Sequence, residues 1–344
     1  MNIGLIGLGS MGYNLAKNLI SKDFKVYAYE KNLDIIEKIE QDKITNLFLV
    51  KSLKQLINNT HSPRIIMLSL PADKIDECID NIIELMNPED TIADLGNSLY
   101  LKSIERYNRL LNKNIGFLGI GVSGGPRGAK NGPAIMVGGS ETAWSKTKHI
   151  FNSISAKNGE QNACCYFGSP GSGHFIKLIH NGIEYALMEV LAEISVILNK
   201  AYKLNNQEQV KKFKDVLNTT SSSFLLEITT KVLDAKNENN IYFIDDIDNR
   251  IEQNGTGVWT INAALELGVS IPSIYAAVST RSNSQYFNYD TGVNLSYDDL
   301  KINPKVNNIN LEEIIFFNFA CSLFQGLNLI KESNRYDFFD FNLQ

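Results

Sequence analysis

The sequence predicts a doubly wound α/β parallel sheet followed by an all-α helical domain. Short β-rich runs alternate with helical stretches through the first half, a glycine-rich turn follows the first run, and strand signals fade after GSPGSG at 168–173. The 344 residues are enough for two domains with separate cores, drawn here at 1–172 and 173–344.

IGLIG, KVYAYE, RIIMLSL, TIADL and IGFLGI read as strands, in that order. The stretches after Ser10, Leu33, Asp73, Tyr100 and Glu141 read as helices or partial helices. Apolar strands alternating with crossovers imply a parallel sheet covered on both faces, with right-handed connections. Beyond Ser172 the periodicity is helical, and the acidic, asparagine-rich stretch at 234–250 reads as a surface loop.

Bulk composition excludes several classes. A net charge of −5 with 21% charged and 44% hydrophobic residues gives no support to a nucleic-acid or membrane partner. The four cysteines lack metal-site spacing, so no metal is expected, and the adjacent Cys164–Cys165 pair reads as buried filler. They fit a reducing cytoplasm, as does a first strand starting at Asn2, which leaves no room for a leader.

GHFIKLIHNGIEYALMEVLAE, from Gly173, is an apolar helix with one polar face. Lys177, His180, Asn181 and Glu184 stand at i, i+3, i+4 and i+7, and Leu187, Met188 and Leu191 continue the same face. At 1.5 Å per residue, Lys177 and Glu184 start roughly 10 Å apart along the axis, within reach of one cavity. A solvated stripe would stay polar, so an enclosed polar patch is expected, and buried polar groups need partners.

GLGSMG at 7–12 follows a strand and opens a helix, which makes the fold Rossmann-type and the ligand a dinucleotide. Gly7 allows the tight turn, Gly9 the approach of a pyrophosphate, and Gly12 close helix–sheet packing. Leu8, Ser10 and Met11 complete the loop. Glu30, ending the second strand, suits the ribose hydroxyls of NAD, whereas Lys31 suits the 2′-phosphate of NADP; both remain open. Ser123, Gly124 and Gly125 expose backbone N–H groups suited to ligand oxygens, or form a plain turn. Asn97 either touches cofactor and substrate or serves as a turn former.

Taken together, GLIGLGSMGYNLAKN, GNS at 96–98, GVSGG at 121–125, GPAIMVGG at 132–139, GHFIKLIHNGIEY, SFLLEITTKVL and GTGVWT at 255–260 resemble the 6-phosphogluconate dehydrogenase family over essentially the whole chain. The resemblance implies oxidative decarboxylation of 6-phosphogluconate to ribulose 5-phosphate by a homodimer using NAD or NADP. It implies Lys177 as the base and Glu184 as the acid, with His180 and Asn181 orienting the substrate. By the same resemblance Ser123, Gly124 and Gly125 bind the carboxylate end, and Tyr185, Thr256 and Arg281 bind the phosphate, for which arginine's planar fork is suited.

The chain departs from the family pattern at several places, and the lysine missing at Asn254 thins the phosphate grip. Asn254 and Val258 replace lysines, Pro126 replaces an acidic residue, and Pro71-Ala72 lies near the place of a lysine beside the cofactor. The sequence ends at Gln344, where long members continue into a tail that supplies an arginine and a histidine. Two other readings follow: a dehydrogenase for another small β-hydroxy acid, or a non-catalytic NAD(P)-binding remnant. Phe338, Phe339 and Phe341, near the end, are expected to make a subunit contact.

Overall fold

A computed structural model describes residues 2–248, 250–252, 255–284, 310–335 and 339. In chain order the first part comprises β1 (Asn2–Ile6), α1 (Ser10–Ile20), β2 (Lys25–Tyr29), α2 (Leu33–Asp42), β3 (Leu47–Leu49), α3 (Leu53–Asn59) and β4 (Ile65–Leu68). It continues with α4 (Ile75–Ile82), β5 (Thr91–Asp94), α5 (Tyr100–Leu111), β6 (Gly116–Ser123), α6 (Gly125–Asn131), β7 (Ala134–Gly139) and α7 (Glu141–Ile154). A small hairpin of β8 (Lys157–Asn158) and β9 (Gln161–Asn162) precedes β10 (Cys164–Tyr166). The helical part follows: α8 (Ser172–Lys200), α9 (Asn206–Leu217), α10 (Phe224–Asp234), α11 (Phe243–Asp246), α12 (Thr256–Glu266), α13 (Pro272–Ser284) and α14 (Leu311–Arg335). Asn32, Ser52, Ser140, Asn205 and Ser223 cap helices with side-chain oxygens, the role such residues take where backbone N–H groups lack helical partners.

One sheet of eight strands carries the order β10-β7-β6-β5-β4-β1-β2-β3. Alternate residues feed opposite faces: Ile3, Leu5, Ile65, Met67, Leu118 and Ile120 enter one core, while Ile6, Ile66, Leu68, Ile92 and Phe117 enter the other. Both faces are therefore covered, as a doubly wound sheet requires.

The sheet departs from the fully parallel expectation at one point. β7 runs antiparallel to β6, pairing Leu118 with Gly139 through Ser123 with Ala134. The link from Ser123 to Ala134 holds only the two-turn α6, and a parallel crossover needs on the order of a dozen residues or more. The sequence expectation also lacks β3, α3, α6, β7 and β10, which are short and carry no clear period. Cys164 is half-buried on β10 and Cys165 is exposed, so the pair is not buried filler; alternation on an edge strand turns one of two neighbours outward.

The chain divides into two compact units, Met1–Lys177 with Ser333–Gln344, and Leu178–Glu332. In the second unit Leu191, Ile194, Leu198, Val210, Phe213, Leu226, Leu233 and Ile315 form the core. Phe339 belongs to the first unit, where it is buried against Phe175 (ring centroids 4.7 Å apart) and Tyr100 (5.8 Å). It therefore packs on its own chain instead of meeting another subunit, because two aromatic rings already offer it an apolar seat. Phe338 and Phe341 lie outside the described residues.

Candidate functional site

The glycine turn behaves as steric demand requires. Gly7 has φ +91°, and a Cβ there would stand 2.4 Å from the Ser69 carbonyl oxygen. A Cβ on Gly12 would stand 2.0 Å from the Gly7 carbonyl oxygen, so α1 can start this close to β1 only with glycine. Gly9 is different: a Cβ there meets nothing within 4 Å, leaving bare backbone beside open space. No side chain caps α1, and its first-turn N–H groups are available to an anion. Ser10 is exposed at that turn, while Leu8 and Met11 direct their side chains to the core and contribute backbone only.

Glu30 braces the turn. One carboxylate oxygen accepts from Leu8 N at 2.6 Å; the other accepts from Lys31 N at 2.7 Å and Asn32 N at 3.0 Å. Between the ends of β1, β2 and β4 lies a cavity of about 390 Å³ lined by Gly7, Tyr29, Glu30, Lys31, Leu53, Leu70, Lys74 and Cys78, among others. Lys31 is exposed and approaches Glu77 at 3.9 Å. Burial pushes the Cys78 thiol up to about 12, which leaves it an apolar wall group. Lys74, Leu53 and Cys78 escaped the sequence reading. They come from three separate elements, and no spacing links them to the glycine motif.

The loops at the carboxyl ends of β5 and β6 supply the next groups of this unit. Asn97 is exposed just beyond β5, and Ser123 is buried at the end of β6. Gly124 (φ +122°) and Gly125 (φ +59°) turn the chain into α6, with Gly128 N donating to the Gly124 carbonyl at 2.8 Å. A Cβ on Gly125 would meet nothing within 4 Å, so this backbone too faces open space.

Lys177 is seated by β6. A Cβ on Gly121 would lie 2.4 Å from the Lys177 Cβ and 2.9 Å from the Gly173 carbonyl oxygen, so strand and helix touch through glycine. One turn earlier, His174 packs on Gly119 in the same way, and its Nδ1 bonds Ser103 Oγ at 2.7 Å. Burial lowers the pKa of His174 below its ordinary value, which keeps the ring neutral. His174 was also missed in the sequence, where it looks like any polar residue near a helix start.

In the helical unit, His180 Nδ1 lies 3.3 Å from Glu184 Oε2. Asn181 Nδ2 donates to Thr256 Oγ1 at 3.2 Å, and the Tyr185 hydroxyl lies 3.5 Å from the same oxygen. The Arg281 guanidinium stacks 3.9 Å over the Tyr185 ring, which holds the plane and leaves N–H edges for an oxyanion. Asn181, Tyr185, Thr256 and Arg281, from three helices, thus form one cluster. The approach depends on Gly182, where a Cβ would stand 2.9 Å from Thr260 Cγ2. The enclosed patch expected on α8 is only partly realised. Lys177 and Asn181 are 8% and 7% exposed, but the Glu184 side chain is 39% exposed. Glu184 lies two turns beyond the contact with β6 that covers Lys177.

These residues fit a dinucleotide in the first unit and an anionic, hydroxylated ligand along α8. Among the described residues, no group of three or more His, Cys, Asp or Glu side chains stands ready for a metal ion.

Comparison with known proteins follows the same division. Residues 2–168 match the family model described as the NAD binding domain of 6-phosphogluconate dehydrogenase, and residues 173–344 match its C-terminal domain. The decarboxylating 6-phosphogluconate dehydrogenase of Ceratitis capitata is 34% identical over 340 residues, covering 96% of this chain and 70% of the relative. That of Haemophilus influenzae is 34% identical over 349 residues, covering 99% and 72%. Plasmodium falciparum 6-phosphogluconate dehydrogenase, solved in its apo form and in complexes with its cofactor NADP+ and its substrate 6-phosphogluconate, superposes with a TM-score of 0.88 at 32% identity, covering 100% of this chain and 76% of that one. A 3-hydroxyisobutyrate dehydrogenase of Mycobacterium tuberculosis shares the fold alone, at a TM-score of 0.62 and 16% identity.

Proposed function

This chain belongs to the 6-phosphogluconate dehydrogenase family, and from that premise we propose that it converts 6-phosphogluconate to ribulose 5-phosphate and carbon dioxide. The observation that carries the reading is Lys177, seated against Gly121 on the helix face that also presents His180, Asn181 and Glu184. A bound nicotinamide dinucleotide supplies the hydride acceptor. Lys177 takes the proton of the third-carbon hydroxyl, so that this carbon becomes a carbonyl. Once it has, the carbonyl accepts the electrons of the breaking C1–C2 bond and carbon dioxide leaves. Glu184 delivers a proton to the resulting enediol carbon, and its partial exposure lets it be recharged from solvent. His180 steadies Glu184, and Asn181, itself held by Thr256, orients the sugar chain. Ser123, Gly124 and Gly125 take the carboxylate end, and Asn97 borders both ligands. Tyr185, Thr256 and Arg281 take the phosphate.

The bare turn Gly7–Gly12 would hold the pyrophosphate, with Glu30 and Lys31 at the adenosine ribose. We assign NAD as the preferred dinucleotide. What supports this is that three backbone N–H groups fix the Glu30 carboxylate at the end of β2, where its negative charge would oppose a 2′-phosphate, and that Lys31 leans toward Glu77. The test is cofactor reduction with 6-phosphogluconate and with gluconate, using NAD and NADP in parallel, for the wild type and Glu30→Ala. The expected result is turnover of the phosphorylated acid with NAD, and a loss of about tenfold in NAD preference in the variant, the size of one charge-assisted contact. Equal rates on gluconate would move the substrate to an unphosphorylated β-hydroxy acid. Dinucleotide binding without turnover of either acid would leave a non-catalytic NAD(P)-binding chain. An unchanged NAD/NADP ratio in Glu30→Ala would remove Glu30 from the choice.

We assign a second copy of the chain to α14. Leu311, Ile315, Ser322, Gly326 and Leu329 of that helix are buried, whereas Phe316, Phe317, Leu323, Phe324 and Leu327 are exposed along the other side, Phe324 by 71%. The helix is long and apolar enough to cross a membrane by length and composition alone. Its close seat on Ile183, which Gly326 makes possible, favours a packed helix with one face kept for a partner.

A further inference from the structure

Arg106 of α5 is buried, and its guanidinium is shared between the first turn of α4, which carries Asp76, and the end of β5, which carries Asp94. Nε and Nη2 donate to the two Asp76 carboxylate oxygens at 2.7 and 2.9 Å, and Nη2 reaches the Ala72 carbonyl at 3.4 Å. Nη1 donates to Asp94 Oδ2 at 2.9 Å and to Ser98 Oγ at 2.8 Å. Asp94 in turn accepts from Gly96 N at 2.9 Å and Ser98 Oγ at 2.7 Å, which shapes the loop carrying Asn97. On the other side, Asp76 follows Lys74 and precedes Glu77 and Cys78, all three of which line the nucleotide cavity. Neither loop has slack. A Cβ on Gly96 would stand 2.8 Å from the Leu70 carbonyl oxygen, and one on Gly7 would stand 2.4 Å from that of Ser69. The glycine turn and the loops after β4 and β5 are therefore stacked edge to edge, with one arginine fastened to α4, which follows the second, and to the end of β5, where the third begins.

A buried guanidinium needs its carboxylates, but Asp94 alone would satisfy that need. The bidentate bond to Asp76 spans to the first turn of α4 and fixes direction as well as charge. Arg106 also holds the Asp76 carboxyl below the usual carboxylate range, so the pair stays ionised. We infer that Arg106 is a positioning residue for the dinucleotide: by joining Asp76 to Asp94 and Ser98 it sets the spacing of the loops that present Lys74 and Asn97 to the cofactor.

This inference rests on the dinucleotide reading of the first unit. Its test is calorimetric titration of the full chain with NAD, for the wild type, Asp76→Asn and Arg106→Lys, with melting temperatures recorded beside it. Asp76 is half exposed, so Asp76→Asn removes the charge and one of the two hydrogen bonds of the link without stranding a charge in the core. Arg106→Lys keeps the charge but cannot grip both carboxylates. Each is expected to weaken NAD about tenfold, as the loss of a charge-assisted contact would. KM for the cofactor should rise by the same factor, and by more than KM for 6-phosphogluconate, which only Asn97 of these loops would border. Lower melting temperatures with wild-type NAD affinity in both variants would make Arg106 merely structural and overturn the inference. The titration needs no substrate, so failure to turn over 6-phosphogluconate would count against the proposed reaction and leave this result readable.

Discussion

Around the glycine turn the groups offered to a ligand are backbone N–H groups, whereas along α8 and its neighbours they are side chains. The first region is made by exclusion. Gly7 and Gly12 stand where a Cβ would strike a carbonyl oxygen, and Gly9 stands where a Cβ would fill the space a ligand needs. The second is made by assembly. Asn181, Tyr185, Thr256 and Arg281 hold one another through hydrogen bonds and a stacked ring, and exposure rises from Lys177 to Glu184. Lys177 has a share in both regimes, being a side chain whose seat is cut by glycine. Binding of the dinucleotide and chemistry on the sugar acid should therefore fail separately.

The largest separation is expected from Lys177→Met. Cofactor reduction should fall by about a thousandfold, within the range for loss of a general base, while NAD affinity measured by titration holds. Normal turnover would take Lys177 out of the mechanism. A smaller effect is expected from Gly121→Ala, which asks for the space of the Lys177 Cβ at 2.4 Å. Overpacking should cost about 1–3 kcal/mol of stability in a denaturant melt. Displacement of the amine should lower kcat by about a hundredfold, with NAD affinity retained. A wild-type kcat would mean that β6 does not seat the base. Phe324→Asp should act least on the chemistry: the sedimenting mass should halve, and NAD affinity should stay. If the mass already corresponds to one chain in the wild type, or is unchanged by the charge, the α14 face does not pair subunits.

The helix face of α8 was legible because its period of 3.6 puts Lys177, His180, Asn181 and Glu184 in line whatever surrounds them. Cys165, Phe339 and the wholly parallel sheet were misread because each depended on something distant: an edge strand, a pair of rings from other elements, and a link too short for a crossover. The Arg106 network was invisible for the same reason. Its partner Asp76 lies 30 residues away along the chain, and a lone arginine on a helix carries no mark of the two elements it joins.

By itself the sequence determined the glycine turn, the strands that feed both cores and the polar register of α8, because these follow from sterics and periodicity within one element. Only the tertiary structure decided which glycine makes room for Lys177, which residues complete the nucleotide cavity, and how far Glu184 opens to solvent. Those depend on the close approach of elements far apart in the chain, where a distance of a few ångströms separates a contact from a void.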